Sequence, residues 1–365
     1  MLHSIHLFDD LQIVQQLRPI TDHRSLGDLL IGTSSIREKW QKLGPSINPN
    51  PTSNLHLIGS LLPNKIITEA LKNLQLNESL YCNEICIAHF DNSLEKKKIQ
   101  IQNIEFIQYP EDILHYQKSI ISREIQPNQF DLQQVKELGN VVITPENCFI
   151  HASAQIKGSI LDASEGPIYI GANTEIQIGT LIQGPAVILE NSITNLGAKI
   201  RPFTSIGKNC KVGGEISYSI IHEHTNKAHE GYLGNSIIGS FCNFGALSNS
   251  SNVRNDLKPV QLYDYTKNEY RQTECKSIGL VTGDYITTGI GSQFNTATVI
   301  GSHSNITCHE FPNKHIPSFT WGVSRKFEKF KFEKAISNAE AWTKGKNQHL
   351  SNETINRMKE IWKEL

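Results

Sequence analysis

IGANTEIQIGTLIQGPAVILENSITNLGAKIRPFTSIGKNCKVG, residues Ile170–Gly213, repeats every six positions. Counting in sixes from Ile170 reaches Ile176, Ile182, Ile188, Thr194, Ile200, Ile206, Val212 and then Tyr218, all aliphatic or aromatic except the small β-branched Thr194. Glycine follows directly at Gly171, Gly207 and Gly213. A helix cannot keep a period of six on one face, and a lone strand alternates by two. Three hexapeptides per triangular coil, each sending one side chain into a narrow core, satisfy the pattern. The expected architecture is a left-handed parallel β-helix.

The repeat extends from Gly139 to about Ser318, in three phases. A second phase holds Tyr232, Ile238 and Phe244, and a third holds Thr282, Thr288, Phe294, Ile300 and Ile306. The frame is expected to slip between Tyr218 and Tyr232. A long insertion, Ser248–Ser277, is expected to leave the coil, as solenoid insertions do when they build binding sites.

Residues before Leu138 read differently. Leu55–Ile58 and Ile85–Ala88 are short apolar runs of strand type, Asn64–Leu74 and Asp131–Leu138 have helical spacing, and Pro45–Pro51 reads as a loop. This is an α/β pattern. After Pro312 the period ends; Lys326–Leu365 reads as mostly helical, with a basic start at Arg325, Lys326, Lys329, Lys331 and Lys334 that suits a solvated helix face or a phosphate contact. Three parts follow: an α/β domain (1–138), a β-helix (139–318) and a helical tail (319–365). A chain of 365 residues has room for more than one core.

A formal net charge of −1 gives no global attraction to nucleic acid or anionic lipid. Cys82 and Cys86 are spaced like half a zinc site, but no second pair follows, and the scattered cysteines read as free thiols of a reducing cytoplasm. No run approaches the ~20 apolar residues of a membrane span, and the acidic turn in MLHSIHLFDD does not suit a signal peptide. A cytoplasmic location is the expectation.

The chemistry-bearing run is KAHEGYLGNSIIGSFCNFGALSNSSN, Lys227–Asn252. Histidine titrates near neutrality and serves as a general base; lysine and arginine attract phosphate; tyrosine and asparagine hydrogen-bond hydroxyls. His222, His224 and His229 also raise a metal reading, which no carboxylate or cysteine completes. The run resembles the acetyltransferase site of the bifunctional family that makes UDP-N-acetylglucosamine: a lysine, a catalytic histidine, Tyr-Leu-Gly, then a substrate-binding asparagine. Lys227, His229, Tyr232, Gly234 and Asn252 fall on that pattern in order, and Arg201-Pro202 matches an upstream arginine–proline pair. The resemblance covers about Gly139–Ser318. It implies acetyl transfer from acetyl-CoA to an amino group of a sugar phosphate or nucleotide sugar, with His229 as base, Arg201 and Lys227 on phosphate, Tyr232 and Asn252 on the sugar, the pantetheine arm near Thr282–Ile306, and a homotrimer. Two departures stand out: Ser217 replaces a family lysine and Leu247 a family glycine.

The first region resembles sugar nucleotidyltransferases through Leu17–Thr21 (LRPIT), Leu26–Thr33 and Asn54–Asn64 (NLHLIGSLLPN). That resemblance implies a nucleoside triphosphate and Mg2+, yet no glycine loop precedes Arg18, and Ser60 stands where a metal-binding aspartate is expected. Asp9 and Asp10, or Arg18, Arg24 and Arg37, are the substitute candidates. Nucleotidyl transfer and a non-catalytic trimeric binding role are the competing readings.

Overall fold

The computed structural model describes residues 4–47, 55–90, 97–324 and 326–365. The ends of two expected segments, Asn48–Pro51 and Asn54, lie outside the described residues, as does Arg325.

The first region is a six-stranded mixed sheet in the order Ser46–Ile47, Ser4–Phe8, Leu55–Ile58, Ile85–Phe90, Glu78–Cys82, Lys97–Gln100. Strand Ile85–Phe90 runs antiparallel to both neighbours. Five helices accompany the sheet and lead out of it: α1 (Leu11–Gln16), α2 (Ile36–Lys42), α3 (Lys65–Asn73), α4 (Pro110–Glu124) and α5 (Leu132–Glu137). Local chemistry sets their starts. Asp10 accepts from Ile13 N–H, Ser35 and Glu38 form a reciprocal capping box, and Asn64 accepts from Ile67 N–H.

The second region is a parallel β-helix with three faces. Face one stacks nine strands, from Cys148–Ile150 to His315–Ile316; face two stacks strands from Gln155–Ile156 to Thr320–Val323. Face three runs from Val141–Ile143 to Tyr232–Gly234. Inward residues form ladders, for example Ile170, Ile188, Ile206 and Ile221 on face one, all fully buried. Each such isoleucine contributes about 1.5–3 kcal/mol of burial. The turns at one corner need left-handed backbone, and asparagine, which tolerates it, supplies Asn173, Asn191 and Asn209 at φ 54–59°.

Two sequence expectations shift. The frame slips one turn earlier than expected: Ile216, not Tyr218, is the inward residue, because Ile216 pairs with Ile200 across a coil two residues shorter than the preceding Ile182–Ile200 coil. Tyr218 occupies the corner at φ 47°. Leu233 likewise takes the core place expected for Tyr232, whose side chain faces outward in register with Glu215. The insertion also starts later. Asn249–Ser250 still pairs with Gln293–Phe294, with Ser250 buried six residues after Phe244. The excursion opens at the Val253–Ser277 bridge and holds the hairpin Gln261–Asp264/Glu269–Gln272.

The α/β region packs on face one. Its core is continuous with the outward residues Val187, Ile220, Ile237, Val281 and Val299 of that face. Helices α6 (Phe332–Gly345) and α7 (Asn352–Lys363) cover a corner of the later coils through Phe319, Tyr285, Met358 and Ile361. Face three carries neither cover. No helix among the described residues is long and apolar enough to cross a membrane.

Candidate acyl-transfer site on the uncovered face

Lys227 stands in the inward ladder of face two, between Val212 and Phe244. A charged group among aliphatics must be satisfied locally. Its ammonium donates to the carbonyls of Gly213 (3.2 Å) and His229 (2.5 Å). Burial draws the amine down to about 8, with Glu230 opposing. The sequence assigned Lys227 to a phosphate; the structure turns it inside the coil, where it fixes the backbone of His229.

His229 itself is exposed at the corner between faces two and three. Gly231 follows at φ +130°, and a Cβ there would lie 2.1 Å from the Ser248 carbonyl oxygen of the next coil, so only glycine lets the corner stack. Glu230 lies 3.9 Å from Lys199, tying this corner to face three.

On face three, Arg201 lies 3.7 Å from Glu215, and Glu215 is the register partner of Tyr232. The Tyr232 backbone N–H donates to Asn249 Oδ1 (2.8 Å), and Asn252 Nδ2 donates to Asn235 Oδ1 (2.6 Å). The Tyr232 ring lies over Gly234, where an added Cβ would meet the phenol oxygen at 2.2 Å. Burial raises the phenol's pKa, the Glu215 charge adds to that, and Arg201 and the side chain of Asn252 oppose it. Beside this group opens a cavity of about 460 Å³ lined by Asp162, Gln183, Lys199, Arg201 and Glu215 with aliphatic residues. The structure therefore gathers Arg201, Tyr232 and Asn252 on one face, with His229 at its edge. Sequence reasoning missed Glu215, Asn235 and Asn249. Their signal is being one coil from Tyr232 or Asn252, and the shortened coils hide it.

The metal reading of the histidines has no geometry behind it. His222 is fully buried between the two regions, its Nδ1 against Ile238 O and its Nε2 accepting from Leu30 N–H. His224 is at the next corner, stacked on Phe241 at 4.6 Å.

The N-terminal candidates are engaged elsewhere. Arg18 bonds Asp22 and Glu364 (2.8 Å each), Arg24 bonds Ser240 (2.6 Å) and Asp284 (3.2 Å), and Arg37 bonds Asp28 (2.6 Å). The first two join the α/β region to the tail and the β-helix. Asp9 accepts from Leu26 N–H and Asp10 caps α1. A ligand crevice in such a sheet belongs at the strand C-termini. Here the segment Ser25–Asp28 fills it: a Cβ on Gly59 would lie 2.9 Å from Gly27 N and 3.2 Å from Phe8 O. Ser60 is fully buried. Buried Ser60 does not fit Mg2+, which needs hard oxygens facing a hydrated, open position; Asp9 is exposed, with one carboxylate oxygen taken by Leu26 N–H. The basic residues Lys326, Lys331 and Lys334 are exposed, and Lys329 lies over the Trp362 ring at 4.0 Å.

Residues 5–129 match the family model of a sugar nucleotidyl transferase. Among curated proteins, the bifunctional protein GlmU of Methanocaldococcus jannaschii is 35% identical over 130 residues, which is 35% of this chain and 31% of that one. GlmU of Methanococcus maripaludis is 41% identical over 108 residues, 29% and 26% of the two chains. The matches thus span less than a third of these relatives' length. An uncharacterized acetyltransferase of Escherichia coli, YaiX, is 28% identical over 169 residues, covering 46% of this chain and 73% of that one. Among solved structures, Francisella novicida UDP-N-acetylglucosamine acyltransferase aligns over 61% of this chain and 87% of that chain at 16% identity, with a TM-score of 0.32.

Proposed function

We propose that the chain is an acyltransferase that moves an acetyl group from acetyl-CoA to an amino group of a sugar phosphate or nucleotide sugar. The observation that carries this is the exposed His229, held at a fixed corner by the buried Lys227 and bordering a face that presents Arg201, Tyr232 and Asn252. The similarity to an acetyltransferase over 169 residues supports it.

In this reading His229 takes the proton from the attacking sugar ammonium. The amine then adds to the thioester carbonyl. As the tetrahedral adduct collapses, the C–S bond breaks, the imidazolium protonates the departing CoA sulfur, and the nitrogen releases its remaining extra proton to water to leave the amide. Arg201 binds the acceptor phosphate, and Tyr232 and Asn252 orient its hydroxyls. Lys227 is a positioning residue. The coils around Thr282–Ile306 present the wall for the pantetheine arm.

The proposal includes a cytoplasmic homotrimer and the division into 1–138, 139–318 and 319–365, the third part opening with the strands Thr320–Val323 and Lys326–Lys329 that end face two before its helices begin. Face three and its corner with face two expose Ile160, Leu181, Ile178, Leu196 and Ile290, the last three more than 60% exposed. Apolar exposure on that scale marks an association surface. Face one is covered by the α/β region, so self-association through face three is the arrangement that buries these residues and brings a neighbour against His229.

The filled strand-end crevice weighs against nucleotidyl transfer, leaving the α/β region a binding or scaffolding part. The test is free-thiol release from acetyl-CoA with a panel of amino-sugar phosphates, with pyrophosphate release from a nucleoside triphosphate, sugar 1-phosphate and Mg2+ run beside it. Histidine-dependent thiol release supports the acyltransferase; pyrophosphate instead supports the nucleotidyl reading; neither, with ligand binding intact, supports a trimeric binding protein.

A further inference from the structure

The junction between the α/β region and face one holds a polar groove outside the site above. One part, of about 610 Å³, is lined by Thr33, Ser34, Glu38, Lys42, Glu190 and Lys208 among others, with Phe149 and Tyr169 along one wall. A second part, of about 470 Å³, adjoins it through the shared residues Thr33, Lys42 and Glu124 and is bordered by Lys39, Lys65 and Arg123. Both volumes fall in the range of small-molecule sites, ~300–1,000 Å³.

The floor is built, not incidental. Lys39 is 5% exposed and lies 2.6 Å from Glu124 Oε1. Glu124 Oε2 accepts in addition from Thr33 N–H (3.1 Å) and Thr33 Oγ1 (2.9 Å). Burial pulls the Lys39 amine down to about 8 against the pull of Glu124. A buried ion pair seldom repays its desolvation cost as stability, so its place beneath two connected cavities calls for another reason.

The wall chemistry is mixed in an informative way. Phe149 and Tyr169 are in register on adjacent coils and stack at 4.6 Å and 7°. Lys208 bridges the junction between Glu38 Oε1 at 3.2 Å and Glu190 Oε2 at 3.9 Å; Glu38 Oε2 is taken by Ser35 N–H at 2.8 Å, whereas Glu190 Oε2 is buried without a hydrogen bond. Lys42 and Lys65 form no ion pair among the described residues; Lys42 donates to Ser34 Oγ at 3.4 Å. Lysines without counter-charge suit a phosphate, a buried carboxylate oxygen without a hydrogen bond suits a hydroxyl, and aromatic surface suits a C–H-rich ring face.

We propose that this junction groove binds a phosphorylated polyhydroxy compound, with Lys42 and Lys65 on the phosphate and Glu190 on a hydroxyl. Both the α/β region and the β-helix contribute to it, so occupancy stiffens their junction. The site stands independently of the acyl-transfer reading.

The test is hydrogen–deuterium exchange of the full chain with millimolar glucose 1-phosphate or glucose 6-phosphate, beside glucose and inorganic phosphate. His229→Ala serves as the host, so that turnover plays no part. The expected result is protection of peptides covering residues 32–43 and 123–127 with a sugar phosphate, at least tenfold weaker apparent affinity with inorganic phosphate, and none with glucose. Lys42→Glu with Lys65→Glu, both at the surface, should abolish the protection. Absence of protection with both sugar phosphates, equal protection by inorganic phosphate alone, or protection that survives the double change would overturn the proposal. None of these outcomes bears on thiol release by the wild-type chain, so the two readings fail separately.

Discussion

Two corners of the β-helix meet the same backbone demand with opposite residues. At the corner beside His229 the left-handed positions are Gly158, Gly179, Gly197, Gly214, Gly231, Leu247 and Gly291. At the corner between faces one and two they start as Asn173, Asn191 and Asn209 and then become His224, Phe241, Tyr285, His303 and Phe319. Those five rings stack one on another at 4.6–5.0 Å. A bulky residue in left-handed backbone costs about 1–2 kcal/mol, which only burial returns. The aromatic corner obtains that burial from α6, α7 and the loop holding His23, whose Nε2 lies 2.7 Å from His303 Nε2. The glycine corner faces solvent, needs no cover and leaves room for a ligand or a neighbouring chain. What covers a corner decides its residues, even where φ is the same.

The largest expected effect lies at the open corner. His229→Ala should lower thiol release by about 10²–10⁴-fold, while thermal unfolding stays within a degree or two of wild type because the side chain is exposed. An intact rate would end the assignment of His229 as base. At the sealed corner the balance reverses: Phe319→Ala should cost about 3–5 kcal/mol, read by denaturant unfolding, with the rate per folded molecule nearly unchanged. Gly231→Ala should cost about 1–3 kcal/mol from backbone strain and lower activity as well, since the displaced corner carries His229; an unaffected variant would show that the corner is not rigid.

A titration sharpens the contrast further. Burial lowers His23 to about 4 and drives His303 well down, so both are neutral in the folded protein. A histidine depressed on folding stabilises above its unfolded value, and that contribution fades as pH falls through the folded one. Asp284, raised to about 6 by burial despite Arg24, works the other way over the same range. Burial also pushes down His222 and His315, which act with His23 and His303 and outweigh Asp284, so unfolding free energy should fall between about pH 6.5 and 4. His303→Phe should flatten that slope. The smallest change is Leu247→Gly, which relieves left-handed strain but loosens the unfolded chain, for a net shift under about 1 kcal/mol.

The solenoid was legible because inward residues recur locally: Ile170, Ile188 and Ile206 announce each coil. Tyr218 misled because a shortened coil places an aromatic six residues after Val212 by coincidence, while pairing with Ile200 selects Ile216. The site was partly legible. His229 and Tyr232 belong to a local run, but the inward turn of Lys227 follows from its place in a ladder that pairing alone defines. Arg18 and Arg24 read as anion binders because their carboxylate partners Glu364 and Asp284 are hundreds of residues away. The filling of the strand-end crevice was not legible, because nothing in the sequence says that Ser25–Asp28 folds back against Gly59.

The clamp between Arg18 and Glu364, reinforced by Arg357 donating to the Asp22 carbonyl at 2.9 Å, sets an order of events. During synthesis the α/β region emerges first, yet the segment from Arg18 to Arg24 cannot complete its bonds until α7 has been made. The β-helix grows in the meantime, coil upon coil, beside a partner whose docking surface is only half secured. Contacts of such sequence separation are slow to form, so the last helix acts as a latch on the first segment. Cutting the chain between α6 and α7 should therefore be felt at residue 18 as keenly as at the cut.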